Sequence, residues 1–341
     1  MLSRVADHLY WMSRYMERVE NLARLVQVSM ELLLDAAVTG NRSIKHYWSP
    51  VLAATEMEED FATLYPNPQP GDIATFLTTD ERNPGSIYSC IKQARENART
   101  VRDQISDEMW AELNELFHFI CSKPAQSLFQ RSPQAFYEKI IQSALLFDGI
   151  TSATLPRNEG WYFLQLGRVL ERADKTSRFL DIKTHTLETD SNDALDSIQW
   201  STILRSCSAF ATFRRAFGGQ VNMEQVVELL LFSTDFPRSV RFCVRHTDEL
   251  LHHISGTSTG QYSNNAEKLT GSLLARLNFS SSADVMQRGL HESIDELQVS
   301  LNAIGQGIFD HYVHLPKEGN TLFIRHTGLT PDVFQLQQQQ Q

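Results

Sequence analysis

Between Ser3 and about Val38 the chain has neither proline nor glycine, and Leu9, Met12, Met16, Val19, Ala23, Val26, Met30 and Leu33 recur at alternating steps of three and four. That spacing draws one apolar stripe along a long helix. Ser3 suits its N-cap and Gly40 its end. Thirty-odd residues make a rod of roughly 50 Å at about 1.5 Å per residue, enough to run the length of a bundle. After a stretch broken by Pro66, Pro68, Pro70 and Gly71, the turn Asn83-Pro84-Gly85 leads into a second helical pattern. Ile87, Cys90, Ile91, Ala94, Ala98, Val101 and Ile105 predict a helix over 86–105, and two more follow near 107–122 and 132–149. The fold class expected is all-α.

The pattern then restarts. Ser13-Arg14-Tyr15-Met16-Glu17-Arg18-Val19-Glu20 aligns with Gly167-Arg168-Val169-Leu170-Glu171-Arg172-Ala173-Asp174 at an offset of 154 residues, which also brings Arg24 onto Arg178. Trp48-Ser49-Pro50-Val51-Leu52 aligns with Trp200-Ser201-Thr202-Ile203-Leu204 at 152, and the stretch from Pro84 to Ile91 with that from Pro237 to Val244 at 153. Three matches in one order at nearly one offset point to an internal duplication. The expected architecture is a helical bundle of two multi-helix units, 1–150 and 158–315, related by a pseudo-twofold axis with their leading helices close together. The segment 316–341 matches nothing upstream, and its terminal glutamine run is low-complexity and expected to be disordered.

Composition narrows the classes. A net charge of −10 argues against a nucleic-acid protein, since a phosphate-binding face leaves a basic excess. No apolar run is long enough to span a bilayer, and Arg4, Asp7, Arg14, Glu17, Arg18 and Glu20 interrupt any signal-peptide core, so a cytoplasmic chain is expected. Cys90, Cys121, Cys207 and Cys243 lack zinc-like spacing and read as reduced core residues.

The chemistry lies in the repeated Glu-Arg dipeptides. Adjacent residues of a helix point about 100° apart, so Glu17 cannot pair with Arg18. Arg14 can reach Glu17 and Glu20 can reach Arg24; Arg168 with Glu171 and Asp174 with Arg178 repeat both spacings. These charges flank the apolar stripe, and a buried charge is costly unless paired. One reading makes them ion pairs, within or between the leading helices, that fix how the two halves dock. The other makes a polar pocket between those helices, where Arg14, Arg18, Arg168 and Arg172 clamp a carboxylate or phosphate while Glu17 and Glu171 orient them or move protons.

The opening Met1-Leu2-Ser3-Arg4-Val5-Ala6, with Tyr10-Trp11-Met12-Ser13-Arg14-Tyr15-Met16-Glu17-Arg18-Val19-Glu20-Asn21, closely resembles the bacterial alpha-E family, a helical family named for its Glu-Arg signature. Ala94-Arg95-Glu96-Asn97-Ala98-Arg99-Thr100-Val101-Arg102-Asp103 and Phe236-Pro237-Arg238-Ser239-Val240 look like its later motifs. The resemblance implies a circularly permuted ATP-grasp ligase as partner, often with a transglutaminase-like protein nearby, and so a part in making or processing a peptide or amide-linked product. It does not imply that this chain is itself an enzyme.

Two competing sites remain. Arg95, Arg99 and Arg102, spaced four and three apart, suggest one basic helix face, either solvated or binding an anion or acidic partner. Position 95 aligns with Asp248 and 99 with His252, so the cluster belongs to one half only. Glu17, Glu171 and the Glu-x-x-His pairs Glu115/His118 and Glu249/His252 imitate the order of a di-metal bundle. But Glu249 aligns with Glu96, not with Glu115, so no metal site is expected, and no cofactor loop is present. His46, His252 and His253 are expected at surfaces or helix ends. The reading preferred is a binding or accessory protein with a Glu/Arg pocket; an enzyme using the Glu-Arg pairs and a structural scaffold are the alternatives, and a homo-oligomer is left open.

Overall fold

The structure, a computed structural model, describes residues 1–39, 44–69, 71–183 and 193–313. Gly40, His46's surroundings and the segment from 316 onward lie outside the described residues. Among those described there are helices and no strand. The first half contributes α1 (Ser3–Thr39), α2 (Ile44–Thr55), α3 (Glu58–Leu64), α4 (Asp72–Thr78), α5 (Ile87–Thr100), α6 (Asp107–Cys121), α7 (Lys123–Arg131) and α8 (Pro133–Thr154). The second contributes α9 (Glu159–Asp181), α10 (Asp193–Ser206), α11 (Phe210–Phe217), α12 (Met223–Val227), α13 (Val240–Ser255), α14 (Asn265–Asn278), α15 (Ser282–Arg288) and α16 (Leu290–Ile308).

The long first helix forms as its stripe predicts, but Val5 and Ala6 donate to the Leu2 carbonyl, so Ser3 is already inside the first turn. The Ser86 hydroxyl caps α5 by accepting from the Ser89 N–H, as the Pro-Gly-Ser turn implies. That helix stops at Thr100 rather than at Ile105, and a single 3₁₀ turn over Arg102–Gln104 follows. A helix absent from the sequence reading, α7, starts with a cap by Ser122 and Pro124 in its first turn, where a missing N–H costs nothing.

Two leading helices form the axis of the molecule. The first packs along α9, with α5 and α8 against its other sides, while α9 is flanked by α13 and α16. The sixth helix bridges α5 and α8, and α14 bridges α13 and α16. Helices enclosed on several sides bury more than a stripe. Tyr10, Trp11, Tyr15, Leu22 and Leu25 are buried together with Leu9, Met12, Met16, Val19, Ala23 and Val26. One contact sets the spacing of the axis. A Cβ on Gly167 would stand 2.2 Å from the Tyr10 carbonyl oxygen, so only glycine admits this approach of backbones. No helix among the described residues is long and apolar enough to cross a membrane.

Candidate functional site

The close approach at Gly167 brings each Glu-Arg dipeptide within reach of the other. Because neighbours on a helix diverge by about 100°, glutamate and arginine leave their own helix in different directions and meet across the axis. Arg172 donates through Nε and Nη2 to the two Glu17 oxygens, at 2.8 and 2.7 Å. Arg18 donates reciprocally to the two Glu171 oxygens, at 2.6 and 3.1 Å. These are fork-to-fork pairs, the strongest geometry available to a guanidinium and a carboxylate. Arg14 adds a bond at 2.7 Å to Glu171 and stacks over Tyr10 and Trp11.

Around this centre the charges continue. Asn21 donates to Glu17 at 2.9 Å. Arg238, just before α13, reaches Asn21 at 2.7 Å and Glu20 at 2.5 Å. Glu20 also accepts from Arg24, and Asp174 from Arg178 at 2.9 Å, so both four-residue spacings form as expected. Lys175 stands 3.0 Å from Asp174, and Arg178 extends 2.6 Å to Glu56 at the end of α2.

The three-residue spacings do not form. Arg14 crosses to Glu171 instead of pairing with Glu17, and Arg168 turns away from Glu171 to Gln165 and to Asp148 on α8. The reason is tertiary: for Arg14 the opposite helix presents the buried Glu171 carboxylate, while Arg168 meets the part-exposed Asp148 of α8. Arg238, Asn21, Lys175, Asp148 and Glu56 were not anticipated as members of the centre. Arg238 and Asn21 carried a signal, since they sit in the stretches Phe236–Val240 and Tyr10–Asn21 that resemble family motifs.

Burial governs the electrostatics. The Glu171 side chain is 0% exposed and that of Glu17 5%. Burial by itself pushes both carboxyls up, yet the surrounding guanidiniums outweigh it and hold both at about 2. Asp174 is held lower still by Arg178 and Lys175 against the same penalty. Burial, and then Arg172, push Arg168 down to about 10. Cys90 and Cys243 lie beside the centre, and burial raises their thiols to about 11 and 12, which leaves both neutral and unreactive. Three of the four cysteines are buried as expected, whereas Cys121 is exposed.

The four arginines do not share one cavity. Arg168 and Arg172, with Arg238, line a cleft of about 410 Å³, counting the space open at its mouth, beside Phe147, Asp148 and Thr151 of α8. Arg14 and Arg18, with Arg178, line a separate cleft of about 850 Å³, counting the space open at its mouth. Leu170, Leu301, Ile308 and Phe309 form its apolar wall, and Asp174 and Glu56 complete the charged one. The Glu-Arg interlock lies between the two cavities and separates them.

The competing sites take other forms. Arg95 stacks on Phe117 and donates to Asn114, Arg99 pairs with Glu96, and Arg102 pairs with Asp107. The helix ends at Thr100, before Arg102, yet Arg95 and Arg102 both stack on Trp110. The Glu-x-x-His pairs stay apart: Glu115 lies near Lys139, and Glu249 near Arg245 and His246. Among the described residues, the group spaced to hold a metal ion is a different one, Asp181, His291 and Asp295, in which the imidazole already bridges the two carboxylates. His252 and His253 lie in the last turn of α13.

Comparison with known proteins agrees with the centrality of the pairs. An uncharacterized protein of Mycobacterium bovis is 26% identical over 332 residues, covering 90% of this chain and 36% of its own length. Two uncharacterized proteins of Mycobacterium tuberculosis match over the same coverage at 26% and 25% identity. The chain thus spans about a third of the length of the curated relatives it matches. No solved structure matches it. The Alpha-E family, described as a predicted alpha-helical domain with a conserved ER motif, matches residues 1–313, and the chain belongs to that family.

Proposed function

We propose that the chain is a binding or accessory protein of an ATP-grasp-linked system that makes or modifies a peptide or other amide-linked product, and that the cleft beside Arg14 and Arg18 is its ligand pocket. The observation that carries this reading is the preformed cleft itself. It sets a guanidinium-bearing wall against an apolar one, directly on the Glu-Arg centre that the family description singles out. The saturation of that centre favours binding over catalysis. Glu17 and Glu171 stay ionised far below neutral pH and each is gripped by two or more donors, which suits neither a general acid nor a base. The ligase, and a transglutaminase-like protein beside it, come from family resemblance. The relatives lend support, because nearly two thirds of their length lies outside the matched unit.

Two units, 1–150 and 158–315, derived from one duplicated ancestor account for the reciprocal pairs. They also account for the positive φ that two non-glycine residues share among the described residues, Glu56 at 56° and Ser208 at 53°, which stand 152 residues apart. A cytoplasmic place beside an ATP-consuming ligase follows from this reading.

The test is co-purification of the chain with an ATP-grasp ligase from its own genome, and a change in ligase turnover when the chain is added. Neither association nor any change in turnover rejects the accessory role. The scaffold reading draws on the interlock: if Arg18→Ala and Arg172→Ala both unfold and the cleft binds nothing, the pairs only dock the halves. Turnover by isolated protein that vanishes in Glu17→Gln and Glu171→Gln would instead establish an enzyme.

A further inference from the structure

The charged groups of the larger cleft are already engaged with one another. Arg14 is held by Glu171 through Nε and Nη2 and reaches the Tyr10 hydroxyl through Nη1. Arg18 forks onto the same Glu171, and Arg178 spans Asp174 and Glu56. The three guanidiniums that line the cleft share it with three carboxylates, Asp7, Glu56 and Asp174. An ionised group entering there is drawn by one set and repelled by the other.

What the cleft leaves unpaired is neutral. Among the described residues Asn302 has no hydrogen-bond partner, and Gln306 donates to Asp310 at 2.7 Å while its carbonyl oxygen accepts nothing. Tyr10 accepts from Arg14 at 3.2 Å and keeps its own proton to donate. Asn302 and Gln306 share one face of α16, about 6 Å apart at about 1.5 Å per residue. An extended peptide turns its amides to one side every two residues, about 6.8 Å apart. A carboxamide donates and accepts just as such an amide does. Gly305 beside them has no side chain, and even a Cβ there would touch only Leu170, at 3.7 Å, so a ligand backbone can approach the helix. The smaller cleft lacks the pair: 154 residues earlier stand Asp148, which is taken by Arg168, and Ser152. A π-helical turn, Phe309–Val313, follows α16 and brings Phe309 and Val313 to the larger cleft, and such turns recur at functional sites. The matching helix α8 ends instead in extended backbone at Leu155.

We infer that the cleft binds an uncharged, extended peptide segment by its internal amides, which pair with Asn302 and Gln306 while apolar side chains lie against Phe309 and Val313. The inference rests on the reading of this cleft as the ligand pocket, and it makes the ligand a chain recognised by its amide linkages rather than by its ends.

The experiment is isothermal calorimetry of the full chain with N-acetyl-leucyl-alanyl-leucine N-methylamide, with the free acid of the same peptide, and with an analogue whose two inner N–H groups are replaced by ester oxygens. The N-methylamide should bind, the acid should bind within threefold of it, and the ester analogue at least tenfold more weakly. Affinity should change less than twofold between about 0.05 and 0.5 M sodium chloride, since salt screens charges and not neutral amides. An acid tenfold tighter than the N-methylamide, or an affinity that falls steeply with salt, would assign the cleft to an anion. An ester analogue that binds as well as the amide would leave apolar contact alone. Each of these overturns the inference.

Asn302→Ala combined with Gln306→Ala removes both carboxamides from exposed and half-buried positions of a helix that alanine suits, and should weaken the N-methylamide at least tenfold. Should the double variant fail to fold, Asn302→Ala alone, at an exposed position, should weaken it at least threefold. Ser152→Ala, at the position matching Gln306 in the other half, should leave binding within twofold. Undiminished binding by either folded carboxamide variant, or no binding of the N-methylamide by the wild type, would also overturn the inference. If the ligase still co-purifies in that last case, the accessory role survives and only the ligand assignment falls; peptide binding without any ligase association does the reverse.

Discussion

Replacing Glu171 with glutamine keeps the side chain's shape and removes one charge from a carboxylate with no solvent exposure. Arg14 and Arg18, exposed by 16% and 19%, lose the anion that both grip. Removing one partner of a buried ion pair costs about 3–5 kcal/mol, because the remaining charge stays desolvated. The amide still offers an acceptor oxygen, which returns about 1 kcal/mol. A net loss of about 3 kcal/mol follows. Linkage gives a similar size, since a carboxyl moved from 4.5 in the unfolded chain to about 2 in the fold stabilises it by about 3 kcal/mol at neutral pH.

Urea denaturation followed by circular dichroism measures this loss. With a slope of about 3 kcal/mol per molar, the midpoint should fall by about 1 M at pH 7. The folded-state pKa is depressed, so the contribution is complete above the ordinary carboxylate value and is lost as pH falls toward about 2. The gap between wild type and variant should accordingly narrow between pH 5 and pH 2. The surface pair Arg99–Glu96 is the control, because Glu96→Gln there should change stability by no more than about 0.5 kcal/mol. A loss below about 1 kcal/mol for Glu171→Gln, or a gap that stays constant in acid, would refute the claim that the interlock is desolvated.

Gly167→Ala drives a methyl into the Tyr10 carbonyl and must push α1 and α9 apart, so a loss of about 2 kcal/mol by the same urea assay is expected. Glu56→Gly relieves a left-handed backbone at the cost of a rim ion pair whose carboxylate is 64% exposed. A thermal midpoint equal to or above wild type is expected, and a drop of several degrees would contradict it. His291 is raised by its hydrogen bond to Asp181, so its stabilising contribution is full below about 6.5 and is lost as pH rises through the higher folded value. His291→Gln should therefore flatten the pH dependence of stability on the alkaline side of 6.5; an unchanged profile there assigns that dependence to other groups.

The long helices were legible because a recurrence such as Leu9, Met12, Met16 and Val19 is local, and locality is what periodicity records. What the stripe concealed was that the opposite side of α1 is enclosed as well. Flanking Met16 and Val19 placed a charge of this stretch beside the core, but did not say that Glu17, Glu20 and Asn21 are all buried. The spacing of Arg14 to Glu17 was a correct geometric possibility that lost to a partner 157 residues away. No local rule ranks those two, because the ranking depends on the helix separation that Gly167 allows. Asp148 and Glu56 became part of the site in the same non-local manner. The short α7 was different: Ser122-Lys123-Pro124 is an ordinary helix start in plain view.

The reciprocity of the Glu-Arg pairs also orders events during synthesis. Until α9 emerges, the first 150 or so residues carry Glu17 and Arg18 on a helix that can collapse on α5 and α8 but cannot neutralise its inner face. Closing a loop of that length costs chain entropy that nearby contacts do not repay, so docking of α9 is a late and slow step. The partly made protein therefore offers an unpaired acidic and basic seam to whatever is near. Another copy whose synthesis has passed α9 carries the complementary helix, which makes exchange of α9 between two molecules the characteristic way for this fold to go astray.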